Sequence, residues 1–371
     1  MGISDVIPLV DLRKAHAEVA DEIDAAMREV LADAAFVNGP AVRAFEHEYA
    51  EFSGVPHCVG VANGTDAIEL ALRAAGVPTG SQVVLPANTF VATAEAVVRA
   101  GAQPVLADVD PEHLLMDPSA LAEAAGPDTA AVIPVHLYGQ MAPMKAIADL
   151  AARRGAVVIE DAAQAHGASQ SGQPPAALGL AAATSFYPGK NLGAYGDAGA
   201  VLTGSETIAE RLRLLRDHGS ARKYEHATFG CNSRLDSLQA AVLRVKLRCL
   251  TEWNERRAAA AARYAEMLAE IDDVALPQTG AENDHVWHLY VIRVPRRDAV
   301  VQLLQELGIQ AGIHYPVPVH LQPAFRSLGY APGDFPVAEA AAASIISLPL
   351  YPHITADQQR RVAEAVRKAV T

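Results

Sequence analysis

The chain has 371 residues, 51% of them apolar and 20% charged, so it can bury a large core and form two domains. Its formal net charge of -13 argues against general binding to nucleic acids or anionic membranes. Cys58, Cys231 and Cys249 are far apart, and we expect free thiols with neither a disulfide framework nor a metal site. The N-terminus does not have the pattern of a signal peptide, and we expect a cytoplasmic protein.

Two amphipathic helical patterns come first, around 16–32 and 40–52, and a strand follows at 57–61. Strand and helix patterns then alternate, which favours a mainly parallel sheet with helices on both faces. The further expected strands are 82–85, 103–107, 130–134 and 156–159, and the expected helices are 66–75, 89–100, 118–125 and 144–154. Ligands of such sheets bind beyond the carboxyl ends of the strands, so functional residues are expected there.

One lysine, Lys190, lies among small and turn-forming residues between two apolar runs. Only Asp197 carries a charge nearby, so we expect the ammonium to be partly desolvated, which suits a lysine to Schiff-base formation. A solvated loop lysine is the structural alternative. Thr184 replaces the first glycine of a phosphate-binding P-loop, and Tyr187 replaces the serine of a Ser-x-x-Lys nucleophile, so neither motif is present.

Phosphate-binding groups accompany this lysine. Ser185, five residues before Lys190, can offer a hydroxyl to a phosphate, and a phosphate beside an imine-forming lysine indicates pyridoxal phosphate (PLP). Gly64 and Thr65 precede the helix predicted at 66–75, whose free N–H groups can hold a phosphate. A capped helix without a ligand is the alternative for this segment.

Two strand ends add candidates. Phe90 follows the strand at 82–85 and can stack on a planar cofactor, although such a phenylalanine is more often part of the core. Glu160 and Asp161 follow the strand at 156–159, and a carboxylate near a pyridine nitrogen keeps that nitrogen protonated. Asp161 is preferred because the two residues face opposite ways and its shorter side chain is easier to hold rigid. A helix cap or a surface charge is the alternative for either.

The second half opens with a basic helical pattern at 208–216 and a polar loop at 217–226. This loop carries Lys223, Tyr224 and His226 and is cationic and aromatic in an acidic chain, so it can meet an anionic substrate; a solvated surface loop is equally consistent.

A long helix is predicted from about 236 to 264, with a break near 250–253. We place the domain change there, which gives a large domain at 1–250 and a small C-terminal domain at 251–371. Strands at 285–294 and 309–315 around a helix at 297–307 predict an α+β unit for the small domain.

Together these segments resemble the DegT-type (StrS-like) nucleotide-sugar aminotransferases, a branch of the fold-type I PLP-dependent enzymes. The resemblance spans the chain and rests on five segments, 62–67, 160–164, 185–193, 230–236 and 314–316. It implies a large domain with a mainly parallel sheet, a smaller C-terminal α+β domain, and PLP as the cofactor.

The resemblance also implies roles for single residues. Lys190 carries the Schiff base with the cofactor, Asp161 pairs with the pyridine nitrogen and Gln164 contacts the ring hydroxyl. The remaining implied contacts are the phosphate ligands Gly64, Thr65 and Ser185, the ring-stacking Phe90, and Asn232, which reaches the phosphate site of a neighbouring subunit. The resemblance therefore implies a homodimer with shared active sites.

Dehydratase relatives carry histidine at the lysine position, so Lys190 separates this chain from them. Segments 187–192 and 222–226 look most like enzymes that aminate C3 of dTDP-3-keto-6-deoxyhexoses, with L-glutamate as donor, for antibiotic sugars. Enzymes acting at C4, on UDP-3-keto sugars or on keto-inositols share nearly all the cofactor motifs and stay open. A non-catalytic regulator that binds PLP or a sugar nucleotide is the alternative from another class.

A nucleotide diphosphate brings negative charge to an acidic protein, so nearby cations and donors must offset the field. The candidates for substrate binding are Lys223, Tyr224 and His226 on the cationic loop and His314 and Tyr315 in the small domain.

Overall fold

The protein was analysed as a computed structural model that describes residues 6–370. The strands are β1 (His57–Val61), β2 (Gln82–Pro86), β3 (Gln103–Ala107), β4 (Thr129–Val132), β5 (Val157–Asp161), β6 (Ser169–Gln170), β7 (Ala181–Ser185), β8 (Gly199–Thr203), β9 (Ser220–Arg222), β10 (Glu225–His226), β11 (Asn283–Asp284), β12 (Tyr290–Arg293) and β13 (Ile345–Leu348). The helices are α1 (Leu12–Asp33), α2 (Pro40–Phe52), α3 (Gly64–Ala74), α4 (Val91–Arg99), α5 (Pro118–Ala124), α6 (Met144–Arg154), α7 (Glu206–Leu215), α8 (Ser237–Leu247), α9 (Leu250–Leu268), α10 (Arg297–Glu306), α11 (Pro336–Ser344) and α12 (Ala356–Val370). Short 3-10 turns cover Leu137–Gly139, Val319–Leu321 and Pro323–Leu328.

A seven-stranded sheet in the order β1-β8-β7-β5-β4-β2-β3 forms the centre of the molecule. All its strands are parallel except β8, which runs antiparallel between β1 and β7. Its strands are apolar along almost their whole length, because helices cover both faces and leave no face for water. The predicted mainly parallel sheet is confirmed.

Strand β5 ends later than its sequence pattern predicts. Ile159, Glu160 and Asp161 pair with the first three residues of β7, so the ladder holds the backbone as far as Asp161. Asp161 is therefore the last residue of the strand, and not part of the loop that follows it. A carboxylate at this position has a backbone anchor that a loop residue would lack.

The helix predicted to be interrupted is divided at Arg248 and Cys249 into α8 and α9. The chain start packs on the C-terminal part: Ile7 accepts from the amide of Gln310 at 2.9 Å and donates to the carbonyl of Gly308 at 2.9 Å. The domain division at residue 250 stays a prediction. Ile7 precedes this division in the sequence but is bonded to Gly308 and Gln310, which follow it.

The C-terminal strands differ from their prediction. The strand predicted at 285–294 is only β12, and the strand predicted at 309–315 is wrong, since this segment makes single bridges at Ile309 and Gly312. The partner of β12 is β13, an apolar run that pairs with it antiparallel. Between residues 6 and 370, none of the helices has both the length and the apolar composition that crossing a membrane requires.

Candidate active site

The loop between β7 and β8 carries Lys190 in a compact turn at the carboxyl end of the sheet. The amide of Lys190 donates to the carbonyl of Tyr187 at 2.8 Å, and the amide of Ala194 donates to that of Phe186 at 2.8 Å. A Cβ on Gly193 would lie 2.3 Å from the carbonyl oxygen of Pro188, so the turn closes only with glycine at this position.

The amine of Lys190 is electrostatically suited to nucleophilic chemistry. Burial lowers the pKa of Lys190 to about 8, and the nearby carboxylate of Asp161 acts in the opposite direction by raising it. A fraction of the amine is therefore neutral near neutral pH, as the desolvation expected from the sequence requires.

Asp161 faces this site with its carboxylate held at both oxygens. Its Oδ2 accepts from Thr93 Oγ1 at 2.8 Å and its Oδ1 accepts from the amide of Ala163 at 3.1 Å. Thr93 in turn lies 2.7 Å from the hydroxyl of Thr89. The sequence analysis missed this threonine pair; its signal is two threonines four residues apart, with Thr89 in the turn after β2 and Thr93 in the first turn of α4.

Glu160 points to the other face of the sheet and is fully buried. Its carboxylate lies 2.7 Å from His136 Nε2 and accepts from the amides of Ala176 and Gly179 at 2.9 and 3.0 Å. These structural contacts occupy Glu160, which supports the choice of Asp161 as the carboxylate of the site.

Gln164 joins the sheet to the C-terminal part of the chain. Its Oε1 accepts from the amide of Tyr138 at 2.6 Å, and its Nε2 donates to the hydroxyl of Tyr315 at 3.2 Å. The Tyr138 hydroxyl donates to the carbonyl of His314 at 2.6 Å. Tyr315, which was predicted to bind substrate, is thus bonded directly to the predicted cofactor residue Gln164, and His314 is linked to Gln164 through Tyr138.

Phe90 lies at the rim of the same site. Its ring is 5.1 Å from that of Tyr315, and its side chain is 50% exposed. The core alternative for Phe90 is wrong, since a core phenylalanine would be buried. An exposed ring beside Tyr315 leaves an aromatic surface available to a planar ligand.

Gly64, Thr65 and Ser185 meet where α3 begins. Asn63 caps the helix by accepting from the amide of Asp66 at 2.8 Å, which leaves the two preceding amides at the free N-terminal end. A Cβ on Gly64 would lie 2.6 Å from Cβ of Ser185, so only glycine permits this approach. Amides and hydroxyls converge here in the pattern that binds phosphate.

The remaining predicted residues lie elsewhere. Asn232 is exposed, and its backbone bridges to Asp217. Lys223, Tyr224 and His226 lie on an exposed hairpin formed by β9 and β10, and the only described hydrogen bond of the His226 side chain is to the carbonyl of His218 at 2.9 Å. In the described part of the chain, none of these four side chains is recorded in contact with Lys190.

Two buried histidines near Lys190 escaped the sequence analysis. His166 Nε2 lies 3.0 Å from the carbonyl oxygen of Ser185, and burial together with the charge of Lys190 lowers the pKa of His166 to about 3. His288 Nδ1 lies 3.1 Å from Asn191 Oδ1, and the same two causes lower the pKa of His288 well below its usual value. Both are neutral at pH 7, so they add no competing charge beside the amine.

The assembled groups fit pyridoxal phosphate. They provide an amine of lowered pKa, a fixed carboxylate facing it, an exposed aromatic ring and a glycine-lined cradle at a helix N-terminus. The fold and this site together define a PLP-dependent enzyme of fold type I.

Comparison with known proteins supports this class of enzyme. Residues 17–367 match the model of the DegT/DnrJ/EryC1/StrS aminotransferase family. The erythromycin biosynthesis sensory transduction protein EryC1 of Saccharopolyspora erythraea is 47% identical over 97% of this chain and 99% of its own. The dTDP-3-amino-3,4,6-trideoxy-alpha-D-glucose transaminase of Streptomyces venezuelae is 46% identical over 98% of this chain and 96% of its own.

A crystal structure of S. venezuelae DesV in complex with a ketimine intermediate superimposes with a TM-score of 0.96, at 46% identity, over 98% of each chain. The chain belongs to the DegT/DnrJ/EryC1/StrS aminotransferase family. It is a PLP-dependent aminotransferase, as the motifs around Lys190 predict.

Proposed function

We propose that this aminotransferase moves an amino group from L-glutamate to a nucleotide-linked ketosugar, a dTDP-3-keto-6-deoxyhexose, in the cytoplasmic synthesis of an antibiotic amino sugar. The desolvated amine of Lys190 beside the carboxylate of Asp161 carries the transaminase part of this proposal. The likeness over 98% of the chain to a transaminase named for a dTDP-3-amino sugar supports the substrate.

Lys190 is the residue to which we assign proton transfer. When bound, PLP supplies an aldehyde carbon that accepts amino groups and a ring that withdraws electrons. With PLP held here, Lys190 Nζ would accept the proton from the donor Cα once the donor amine has replaced it on the cofactor, and would afterwards release that proton as the acid. The lowered pKa of about 8 lets Nζ act as a base near neutral pH and return the proton in the sugar half-reaction.

Asp161 is the proposed partner of the ring nitrogen. Hydrogen bonds from Thr93 and from the amide of Ala163 keep the carboxylate oriented, so it can hold a proton on that nitrogen without rotating away. The contact with the ring hydroxyl is assigned to Gln164, and its hydrogen bonds to Tyr138 and Tyr315, which fix its side chain, support this role. Phe90 is proposed to cover the ring, and Gly64, Thr65 and Ser185 to hold the phosphate.

A homodimer with shared active sites is the proposed assembly. Phe229 and Tyr224 are 93% and 86% exposed on the hairpin segment, and large exposed aromatic side chains favour a protein partner. Asn232 is exposed near the same segment, where it can reach the phosphate site of a second copy.

The nucleotide diphosphate is proposed to meet Lys223, Tyr224 and His226 of this hairpin, with His314 and Tyr315 facing the sugar. The hairpin offers cations and an aromatic ring in a chain of net charge -13. His314 is suited to the sugar as a neutral donor or acceptor, because burial and Lys190 lower its pKa to about 4.

The testing experiment has two stages. Holoenzyme mixed with L-glutamate should lose the absorbance of the lysine-bound cofactor and release 2-oxoglutarate; ammonia or carbon dioxide would indicate elimination or decarboxylation, and no spectral change a regulator. The reverse reaction is then run with 2-oxoglutarate and either 3-amino or 4-amino dTDP-6-deoxyhexoses. Turnover of only the 4-amino sugar would overturn amination at C3 and leave the transaminase assignment standing.

A further inference from the structure

Lys246 is a buried lysine to which the aminotransferase mechanism described above assigns no role. It lies on α8 and is only 5% exposed. No ion pair to it is recorded among residues 6–370, and burial alone lowers its pKa, to about 8. An apolar side chain of similar length would fill the same space without the cost of removing an ammonium from water.

The ammonium of Lys246 binds the loop that carries Lys190. Its Nζ donates to the carbonyl of Gly193 at 2.7 Å and lies 4.3 Å from the centroid of the Tyr195 ring. Gly193 belongs to the tight turn in which a Cβ would collide with Pro188. Lys246 therefore holds the point at which this turn closes.

Neighbouring contacts hold the same side of the loop. The amide of Tyr195 donates to Gln239 Oε1 of α8 at 2.8 Å, and the Tyr195 hydroxyl lies 2.5 Å from His16 Nδ1 of α1. Helix α1, which carries His16, packs against α8 through Val19 and Ile23, so both partners of Tyr195 belong to one pair of packed helices.

A second anchor lies on the other side of Lys190. Asn191 Nδ2 donates to the carbonyl of Val286 and to Asn254 Oδ1, each at 2.9 Å. Lys190 thus lies between two anchored residues. Asn191 is bonded to Val286 and to Asn254 of α9, and Gly193 is bonded to Lys246 of α8. Loss of either anchor leaves the backbone of Lys190 free to shift toward the other.

We propose that Lys246 is a positioning residue for the aminotransferase reaction, which holds Lys190 Nζ in register with the reacting carbons through the carbonyl of Gly193. The action is mechanical: Lys246 is not among the charges that shift the pKa of Lys190, which burial and Asp161 account for. A displacement of about 1 Å at a reacting group can cost about a hundredfold in rate, so a small shift of the loop matters.

The test compares Lys246→Met with Val242→Ala in full-length protein, measured with and without cofactor. Met keeps most of the volume of the lysine and removes the donor. Val242 is a buried α8 residue that packs in the cluster with α1 and not in the cluster that contains Leu192 and Ala194 of the loop. Hydrogen exchange at the amides of Lys190 and Ala194, which close the turn, is the first measurement. We expect exchange about tenfold faster in Lys246→Met and unchanged relative to the global rate in Val242→Ala.

Steady-state kinetics form the second arm. Lys246→Met should lower kcat by about tenfold to a hundredfold with the KM for both substrates within about twofold, and Lys246→Arg, which keeps a donor, should recover most of kcat. If Lys246→Met does not fold, Lys246→Gln replaces it, because its shorter amide cannot reach Gly193, and the same result is expected. The exchange arm does not rest on the proposed donor or sugar, so its failure is separate from theirs. A folded Met or Gln variant with wild-type loop exchange, or with wild-type kcat, overturns the proposal.

Discussion

The cluster at the strand ends and the loop at 217–226, which contains the hairpin of β9 and β10, were both expected to serve the active site, yet they differ in burial and in hydrogen bonding. Lys190, Asp161 and Gln164 are held by backbone ladders or by hydrogen bonds to fixed neighbours. Lys223 and Tyr224 stand in solvent, with the ammonium 5.2 Å from the tyrosine ring as their mutual contact.

This difference separates the part of the proposed site that is held rigidly within one chain from the part that is exposed. Cofactor chemistry requires groups held within fractions of an ångström, and the sheet together with the helices packed beside it supplies that rigidity. The hairpin is held by its own β9–β10 pairing and by bonds such as that from His226 to the carbonyl of His218, while its tip at Lys223 and Tyr224 is exposed. Under the proposed function, the substrate or a second subunit would order that tip. Variants in each region test whether this division holds.

The largest effect is expected for Lys190→Ala. This change removes the group that we assign to proton transfer, so turnover should fall at least about a thousandfold. The absorbance of the lysine-bound cofactor should disappear, while the cofactor remains bound through its other contacts. Spectra and steady-state rates measure both, and a variant with full activity would remove Lys190 from the mechanism.

Asp161→Asn is expected to have the next largest effect. Loss of the carboxylate at the ring nitrogen should cost a few kcal/mol of transition-state stabilisation, or on the order of a hundredfold in kcat, with little loss of stability. Glu160→Gln is the matched control: its buried hydrogen bonds should cost about 1–3 kcal/mol of unfolding free energy and leave the rate per folded molecule nearly unchanged. The reverse pattern would show that Glu160 is the functional carboxylate.

A smaller effect is expected at the hairpin. Lys223→Ala or His226→Ala should raise the KM for the sugar nucleotide by about tenfold and leave the glutamate half-reaction nearly intact, because glutamate does not reach the diphosphate. Single-turnover reactions with each substrate separate the two halves. Equal damage to both would assign these residues to the cofactor or to the dimer, and would dissolve the contrast between the two regions.

The smallest effect concerns pH and the buried His166. The pKa of His166 in the folded protein is about 3, below the usual 6.5. Below pH 6.5, His166 therefore binds a proton in the unfolded chain but not in the folded chain. Stability is therefore lost as pH falls, by about 1 kcal/mol between pH 6.5 and 5.5. Denaturant unfolding at both values should show this loss reduced in His166→Gln and unchanged in His226→Gln, where the side chain is exposed. An equal loss in wild type and His166→Gln would mean that His166 is not buried neutral.

Short-range sequence patterns were sufficient to predict many of the strands and helices. The alternation of apolar runs with helical periodicity identified β1, β3 and α6 with their observed bounds. These elements are visible in sequence because their burial repeats over a few residues. The strand predicted from the local pattern at 309–315 is wrong. The segment makes only single bridges, and β12 pairs with β13 instead.

The sequence by itself predicted the sheet, the cofactor lysine and its companions Asp161 and Ser185, because small residues, turn formers and polar groups at strand ends leave a signal within a few positions. The role of Gln164 followed only from the resemblance to the family. The tertiary structure decided which groups support them. Thr93 beside Asp161, His166 and His288 near the amine, and Lys246 beside Gly193 come from other segments of the chain, and the sequence around Lys190 does not indicate that they meet it. Their partners are set by how helices and loops pack across the sheet, since contacts between remote segments depend on the whole core and not on local spacing.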